Sequence, residues 1–374
     1  MTVSGSPRGE TLRWREVAAA IAGDGRAALT PAAVDAAIDE GVGPLLAASP
    51  AAATLDAASH ARLLSHARAS TIHDAALDDE LRRLLPALAS AGCAPVLIKG
   101  AHVAHAVYPA SHLRPRDDTD FLIPPAARAA MAHALSAHGY TPAPLTSGSL
   151  ILGQCLYQKT LGPGLVHYID VHWRVASPLV FADAFDAQAI ADAAVPIRAL
   201  GSAARGPAPH DALALACVHV VSHHWPDASL RWLYDLRLLA GALDAGAREA
   251  FARAASRGRY RAVAACALAR ARDIFPSDAL DLAIDAVHAP AARDSHPAPG
   301  RDDEPSAALT RPGRTPFADF LLDLRVAGWR RGPTLVREHL FPPAGYMRMA
   351  FGDRPLPIAY AARLLRAVRR RVAG

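Results

Sequence analysis

Two aspartates one residue apart, Asp118 and Asp120, head the apolar run DTDFLI. Side chains two apart on a strand point the same way, so both carboxylates would share one face while Phe121 and Ile123 hold the other in the core. Like charges so close repel and raise each other's pKa unless a cation sits between them. Hard oxygen ligands at a strand suit Mg²⁺ together with phosphate oxygens. With 28 aspartates in 374 residues, about two such D-x-D spacings arise by chance, and the bland alternative is a solvated strand end. Context adds weight. Upstream, Lys99-Gly100 forms a turn between an apolar run and an amphipathic segment, and a third acid, Asp170, stands on the polar side of a later alternating run. Free N–H groups where such a turn opens a helix accept an anion, Gly100 permits close approach, and Lys99 adds a point charge. Three carboxylates facing that turn could hold two metal ions in an in-line displacement at phosphorus.

The elements that would position these groups follow from periodicity. Residues 12–90 read as helices, with Thr30 as an N-cap before Pro31 and a long helical pattern over 59–88. APVLI is a short strand, followed by the Lys99-Gly100 turn, a helix through Tyr108 and a loop over 109–116. DTDFLI is a second strand, Pro124-Pro125 starts a helix closed by Gly139, and 150–160 with 165–175 form a hairpin across LGPG. In its second arm Tyr168, Asp170 and His172 alternate with Ile169, Val171 and Trp173. Three helices follow from Pro209. The expected organisation is an α/β (α+β) protein with a small mixed sheet: an N-terminal helical region (1–91), a core (92–200), a helical domain (207–289), a flexible proline-rich linker (290–316) and a C-terminal helical extension (317–374).

Composition bounds the function. With 52% hydrophobic and 20% charged residues the chain is globular rather than disordered, and no apolar run reaches the length of a membrane span. The apolar stretch 17–22 is too short and too late for a secretory signal, so a cytoplasmic location is expected. Four cysteines without a CxxC pair suggest neither disulfides nor a zinc knuckle. The net charge of +5 permits an anionic partner but does not call for nucleic acid. All but two of the 40 basic residues are arginines; the lysines are Lys99 and Lys159.

The segments IKGAHVAHAVYP, LRPRDDTDFLI, YIDVHWRV and HHWPDASLRWLYDL, with the tail FPPAGYMRMAFGDRPLPIAYAARLLR, resemble a nucleotidyltransferase family of the DNA polymerase beta superfold. That family is marked by a Lys-Gly turn, an Arg-Pro-x-x-Asp-x-Asp strand, an Asp-x-His-Trp strand and a His-x-Trp helix. The resemblance implies transfer of a nucleoside monophosphate from an NTP, ATP among the candidates, with release of pyrophosphate. It implies Asp118 and Asp120 as the metal pair, Asp170 as the third carboxylate helping to deprotonate the acceptor, and Lys99 and Gly100 at the triphosphate. Two Mg²⁺ ions, replaceable by Mn²⁺, would be the cofactors; the acceptor is a small molecule, peptide or protein, and neither it nor the oligomeric state is legible. Where many members of the superfold carry a serine after the glycine, this chain has Ala101. Two other readings remain: a D-x-D glycosyltransferase using a nucleotide sugar, against which the helical first 90 residues count, and an inactive binding protein on the same scaffold.

Other residues have a functional and a structural reading. Arg114 and His172 are candidate nucleotide-binding side chains; Arg116 is expected to pair with Asp117, and Thr119 to pack on the opposite side. Lys159 lies beside the Asp170 strand, in a register that sequence does not fix. His219 and His223 have zinc spacing without a third ligand; the preferred reading is a helix packed on the catalytic layer, with His224, Trp225, Arg231 and Asp235 near a base or acceptor pocket by resemblance. Asp235 paired with Arg231 is the structural alternative. Arg174, like His172, follows Asp170 on its own face and could touch acceptor or phosphate, the alternative being a polar strand face; the arginines from Arg363 to Arg371 belong to a solvated helix face.

Overall fold

The computed structural model describes residues 7–23, 29–143, 150–289 and 304–372. Helix α1 (Pro7–Ala22) leads to α2 (Pro31–Asp39), where Thr30 accepts a hydrogen bond from the Ala33 N–H and Pro31 begins the helix. α3 (Gly43–Ala48) precedes α4 (Ala57–Ser90), 34 residues capped by Asp56. No strand interrupts the described residues up to Ser90. α4 turns three acids inward, Asp74, Asp78 and Glu80, each no more than 5% exposed. Buried charges need partners, and these find theirs in the strands and loops that follow.

The sheet starts at β1 (Val96–Ile98), which passes directly into α5 (Lys99–Ala106). β2 (Asp118–Leu122), α6 (Arg128–Ala137), the two-residue β3 (Thr141–Pro142), β4 (Gln154–Gly162) and β5 (Leu165–His172) complete it. Strand order is β1-β2-β5-β4-β3. All neighbours are antiparallel except β2 and β5, which run parallel. A parallel pair needs a crossover, supplied here by α6 and the hairpin's first arm. The alternation read from sequence holds: Phe121, Ile169 and Val171 are buried against Leu81, Leu85 and Leu88 of α4 and Leu135 of α6. Burying a side chain such as Phe121 contributes up to about 3 kcal/mol.

After α7 (Ala187–Asp192) and the short pair β6 (Val195–Pro196) and β7 (Arg205–Gly206), helices α8 (Pro209–His223), α9 (Leu230–Gly241), α10 (Ala245–Arg257), α11 (Arg261–Ile274) and α12 (Asp278–His288) build a second, larger core with α1 to α3. The expected linker divides in two. Residues 290–303 lie outside the described residues, whereas 304–310 pack against the helices: Glu304 accepts from the Arg261 and Ala262 N–H groups at the start of α11, and Ser306 and Leu309 are buried. Proline content reads as a loop, but one buried carboxylate capping a helix is enough to fix such a segment. α13 (Pro316–Leu340), bent at Gly328, α14 (Ala344–Phe351) and α15 (Leu356–Val372) end the described chain. The protein is α+β: a five-stranded mixed sheet flanked by helices.

Candidate active site

Register places the acids. On the parallel pair Asp120 stands opposite Asp170, Asp118 opposite Tyr168 and Leu122 opposite His172. Asp118 and Asp120 therefore share a face with Asp170 and His172, while Thr119 turns to the other side, where its hydroxyl lies 2.9 Å from His167 Nε2. Asp120, Asp170 and His172 each offer one ligand atom, all within 4.8 Å of one another. Asp118 is outside that set.

Lys99 closes the cluster from the start of α5, just past the end of β1. Its Nζ donates to Asp120 Oδ1 at 2.6 Å and lies 3.2 Å from His172 Nε2, which is itself 2.8 Å from the same oxygen. Burial alone would raise the Asp120 pKa, but Lys99 and His172 overrule it and hold the carboxyl well below its usual range. One ammonium does not balance three acids. Asp118 is pushed up to about 7 by burial and then by Asp120, and Asp170 is raised by burial. Gln154 Nε2 donates to Asp170 Oδ2 at 3.0 Å, whereas Asp170 Oδ1 is buried with no hydrogen-bond partner. An uncompensated, buried, hard oxygen beside a second carboxylate and an imidazole fits a divalent cation.

The turn carries a second device. Lys99 has φ +49°, the left-handed region that a side-chain-bearing residue seldom adopts. A Cβ on Gly100 would lie 2.7 Å from Arg114 Nη1. Arg114 is anchored behind that glycine: Nε and Nη2 donate to Asp235, at 2.9 and 2.7 Å, and Tyr108 donates to the same carboxylate at 2.8 Å. Both charges are about 5% exposed, and Asp235 holds the Arg114 pKa above its usual value against the effect of burial. Nη1 is left facing the turn.

A cavity of about 270 Å³ opens beside the turn and the first two acids, and Asp170 and His172 are not among its lining residues. Lys99, Gly100, Arg114, Asp118 and Asp120 line one part and His219, His224, Arg231 and Trp232 another. His224 stacks on Trp232 with ring centroids 3.3 Å apart, and its Nε2 is 3.2 Å from His219 Nε2. Burial keeps these imidazoles neutral, His224 down to about 4 and His219 well below its usual value.

One expectation is corrected and several open readings are decided. Arg116 pairs with Asp74 and Asp78 of α4 rather than with exposed Asp117, since its side chain is buried and the helix supplies buried carboxylates. Asp235 pairs with Arg114 and not with Arg231, which donates to the Pro115 carbonyl. Lys159 faces away from the acids: it stands opposite His167 in the hairpin and donates to Glu80. Arg174 braces a loop through the Leu150 and Ser177 carbonyls. Of the residues expected near the pocket, His224, Arg231 and Asp235 line it and Trp225 does not; Trp232 takes that place, unannounced in the sequence beyond its position after Arg231. His219 and His223 belong to no metal-ligating group among the described residues.

No curated protein matches the chain. A family model described as uncharacterised nucleotidyltransferase matches residues 28–276, a span that takes in the sheet, the Lys99-Gly100 turn and every acid and arginine of the cavity. With two thirds of its length inside that match, the chain belongs to the uncharacterised nucleotidyltransferase family.

Proposed function

We propose that the protein transfers a nucleoside monophosphate from a nucleoside triphosphate to a nucleophilic acceptor and releases pyrophosphate. The observation that carries this is the pairing of Asp120 with Asp170 across parallel strands, opposite the Lys99-Gly100 turn. Asp118, Asp120 and Asp170, with His172 beside them, would hold Mg²⁺ or Mn²⁺, which when bound offsets charge on the phosphates and lowers the pKa of a coordinated hydroxyl. The backbone at Gly100 and the free Nη1 of Arg114 favour binding of phosphate oxygens, and Asp235 keeps that guanidinium aimed. Asp170, with one oxygen held by Gln154 and one without a partner, is suited to accept the acceptor's proton. The His224–Trp232 stack offers a π-face to a nucleobase or an aromatic acceptor. The acceptor would be a small molecule, peptide or protein.

The test is incubation with Mg²⁺ and each of the four α-labelled triphosphates, scoring pyrophosphate and label transfer into a cell extract. Asp120→Asn and Asp170→Asn should each lower transfer at least about a hundredfold. Transfer of label from the γ position instead would replace this reading with a kinase, and full activity in both variants would end it.

A further inference from the structure

Charge is unevenly placed along this chain. From Phe317 to the last residue there are eleven arginines and four acids, an excess of seven positive charges, whereas the whole chain has an excess of five. The first 316 residues are therefore slightly acidic, and the basic character belongs to α13–α15 and their surroundings.

Of the four acids of this segment three are engaged and one, Asp353, is exposed. Asp319 accepts from Arg314, Asp323 from the Leu179 N–H, and Glu338 from the Leu150 and Ile151 N–H groups. They fasten the extension to the sheet side of the molecule. Most of its described arginines point out: Arg325, Arg330, Arg331, Arg337, Arg354 and Arg366 are exposed, whereas Arg363 is half-buried and donates to the His339 carbonyl.

Apolar groups are exposed beside them. Among the described residues twelve large apolar side chains are exposed, and eight of these fall between Phe317 and Leu365. Trp329 is the extreme, 82% exposed, with the Arg330 guanidinium 5.0 Å from its ring centre. On α15, Ile358, Ala361 and Leu365 are exposed at spacings of three and seven, which places them on one helix face. Scattered apolar residues need no explanation, but eight concentrated in one arginine-rich extension do.

We propose that α13–α15 seat the protein on an anionic phospholipid surface. Side chains such as Trp329, Phe341, Met349 and Leu365 would enter the headgroup boundary, and the arginines would meet lipid phosphates. Tryptophan flanked by arginine suits that boundary, apolar on one side and charged on the other. No described helix is long and apolar enough to cross a membrane, so the contact lies in the surface. A nucleic acid would satisfy the arginines and leave the apolar groups in water. A second copy would bring two segments of like charge together, which repel. A lipid surface satisfies both kinds of group.

The experiment is co-sedimentation of the full chain with sucrose-loaded vesicles, either phosphatidylcholine alone or with about 30% phosphatidylglycerol. Binding should be at least about tenfold stronger to the anionic vesicles and should weaken as NaCl is raised. Arg330→Gln and Arg331→Gln should each weaken it about fivefold. Trp329→Ser with Leu365→Ser should weaken it at least about tenfold while leaving the melting temperature unchanged, because both side chains are exposed. Protein remaining in the supernatant, equal binding to neutral vesicles, or binding untouched by the double serine variant would each overturn the proposal. So would a dimer in lipid-free solution that the double variant abolishes. Should a variant fold poorly, the salt titration of the unaltered chain decides: binding insensitive to NaCl refutes a charge-driven contact.

Discussion

Lys99 Nζ and Asp120 Oδ1 lie 2.6 Å apart, joining the residue that follows β1 and opens α5 to the acid cluster of β2 and β5. The lysine holds a left-handed backbone conformation to do so, at a cost of order 1–3 kcal/mol that the ion pair and the turn together offset. Lys99→Met should raise the Asp120 pKa and lower nucleotide transfer at least about a hundredfold. Lys99→Arg should fail to rescue it, since a planar fork does not replace a compact ammonium between Asp120 and His172. Label transfer checks both; an active Met variant would show the lysine to be dispensable.

Gly100 is a glycine because Arg114 lies behind it. Gly100→Ala must displace Arg114 Nη1, 2.7 Å from the new Cβ, or shift the turn itself. The expected result is a rise in KM for the triphosphate of about tenfold or more, with a smaller change in melting temperature. An unchanged KM would mean that neither the turn nor the arginine touches substrate.

Asp235 organises buried groups on two other elements. Asp235→Ala leaves the Arg114 guanidinium and the Tyr108 hydroxyl in the interior without their acceptor. Breaking such a pair from one side costs about 3–5 kcal/mol. Urea denaturation should show this loss, and Arg114→Leu combined with Asp235→Leu should recover part of it. A double variant no more stable than Asp235→Ala would place the loss elsewhere.

His167 is a buried, neutral histidine between Thr119 and Tyr140, with burial holding its pKa down to about 3. The unfolded chain takes up this proton below about 6.5, and the folded chain does so only near 3. Its contribution to stability is therefore complete above pH 6.5 and declines as pH falls towards 3, at no more than about 1.4 kcal/mol per pH unit. Urea midpoints measured between pH 7 and pH 4 should fall less steeply in His167→Gln. Parallel curves for the two proteins would locate the acid sensitivity in other groups.

The helical start, the Lys99-Gly100 turn, the strand DTDFLI and the hairpin carrying Asp170 were legible because each rests on a local rule: a cap, a glycine, an alternation of period two. Side-chain direction followed with them, so Asp118, Asp120, Asp170 and His172 could be assigned to polar faces and Thr119 to the other side. Glu304 marks where local reading misleads, since a proline-rich composition predicts a loop and says nothing of a carboxylate that caps a distant helix.

By itself the sequence determined which residues a strand or helix would turn the same way, because that depends only on neighbours a few positions off. Partnership was decided in three dimensions. Arg114 and Asp235 are 121 residues apart, Arg116 and Asp78 are 38 apart, and Lys159 and Glu80 are 79 apart. Each arginine or lysine had a closer acid in the chain, or an empty face, that looked equally suitable. Burial chose among them: a charge withdrawn from water must meet a partner withdrawn with it, and only the packing of α4, α9 and the sheet fixes which charges are withdrawn together.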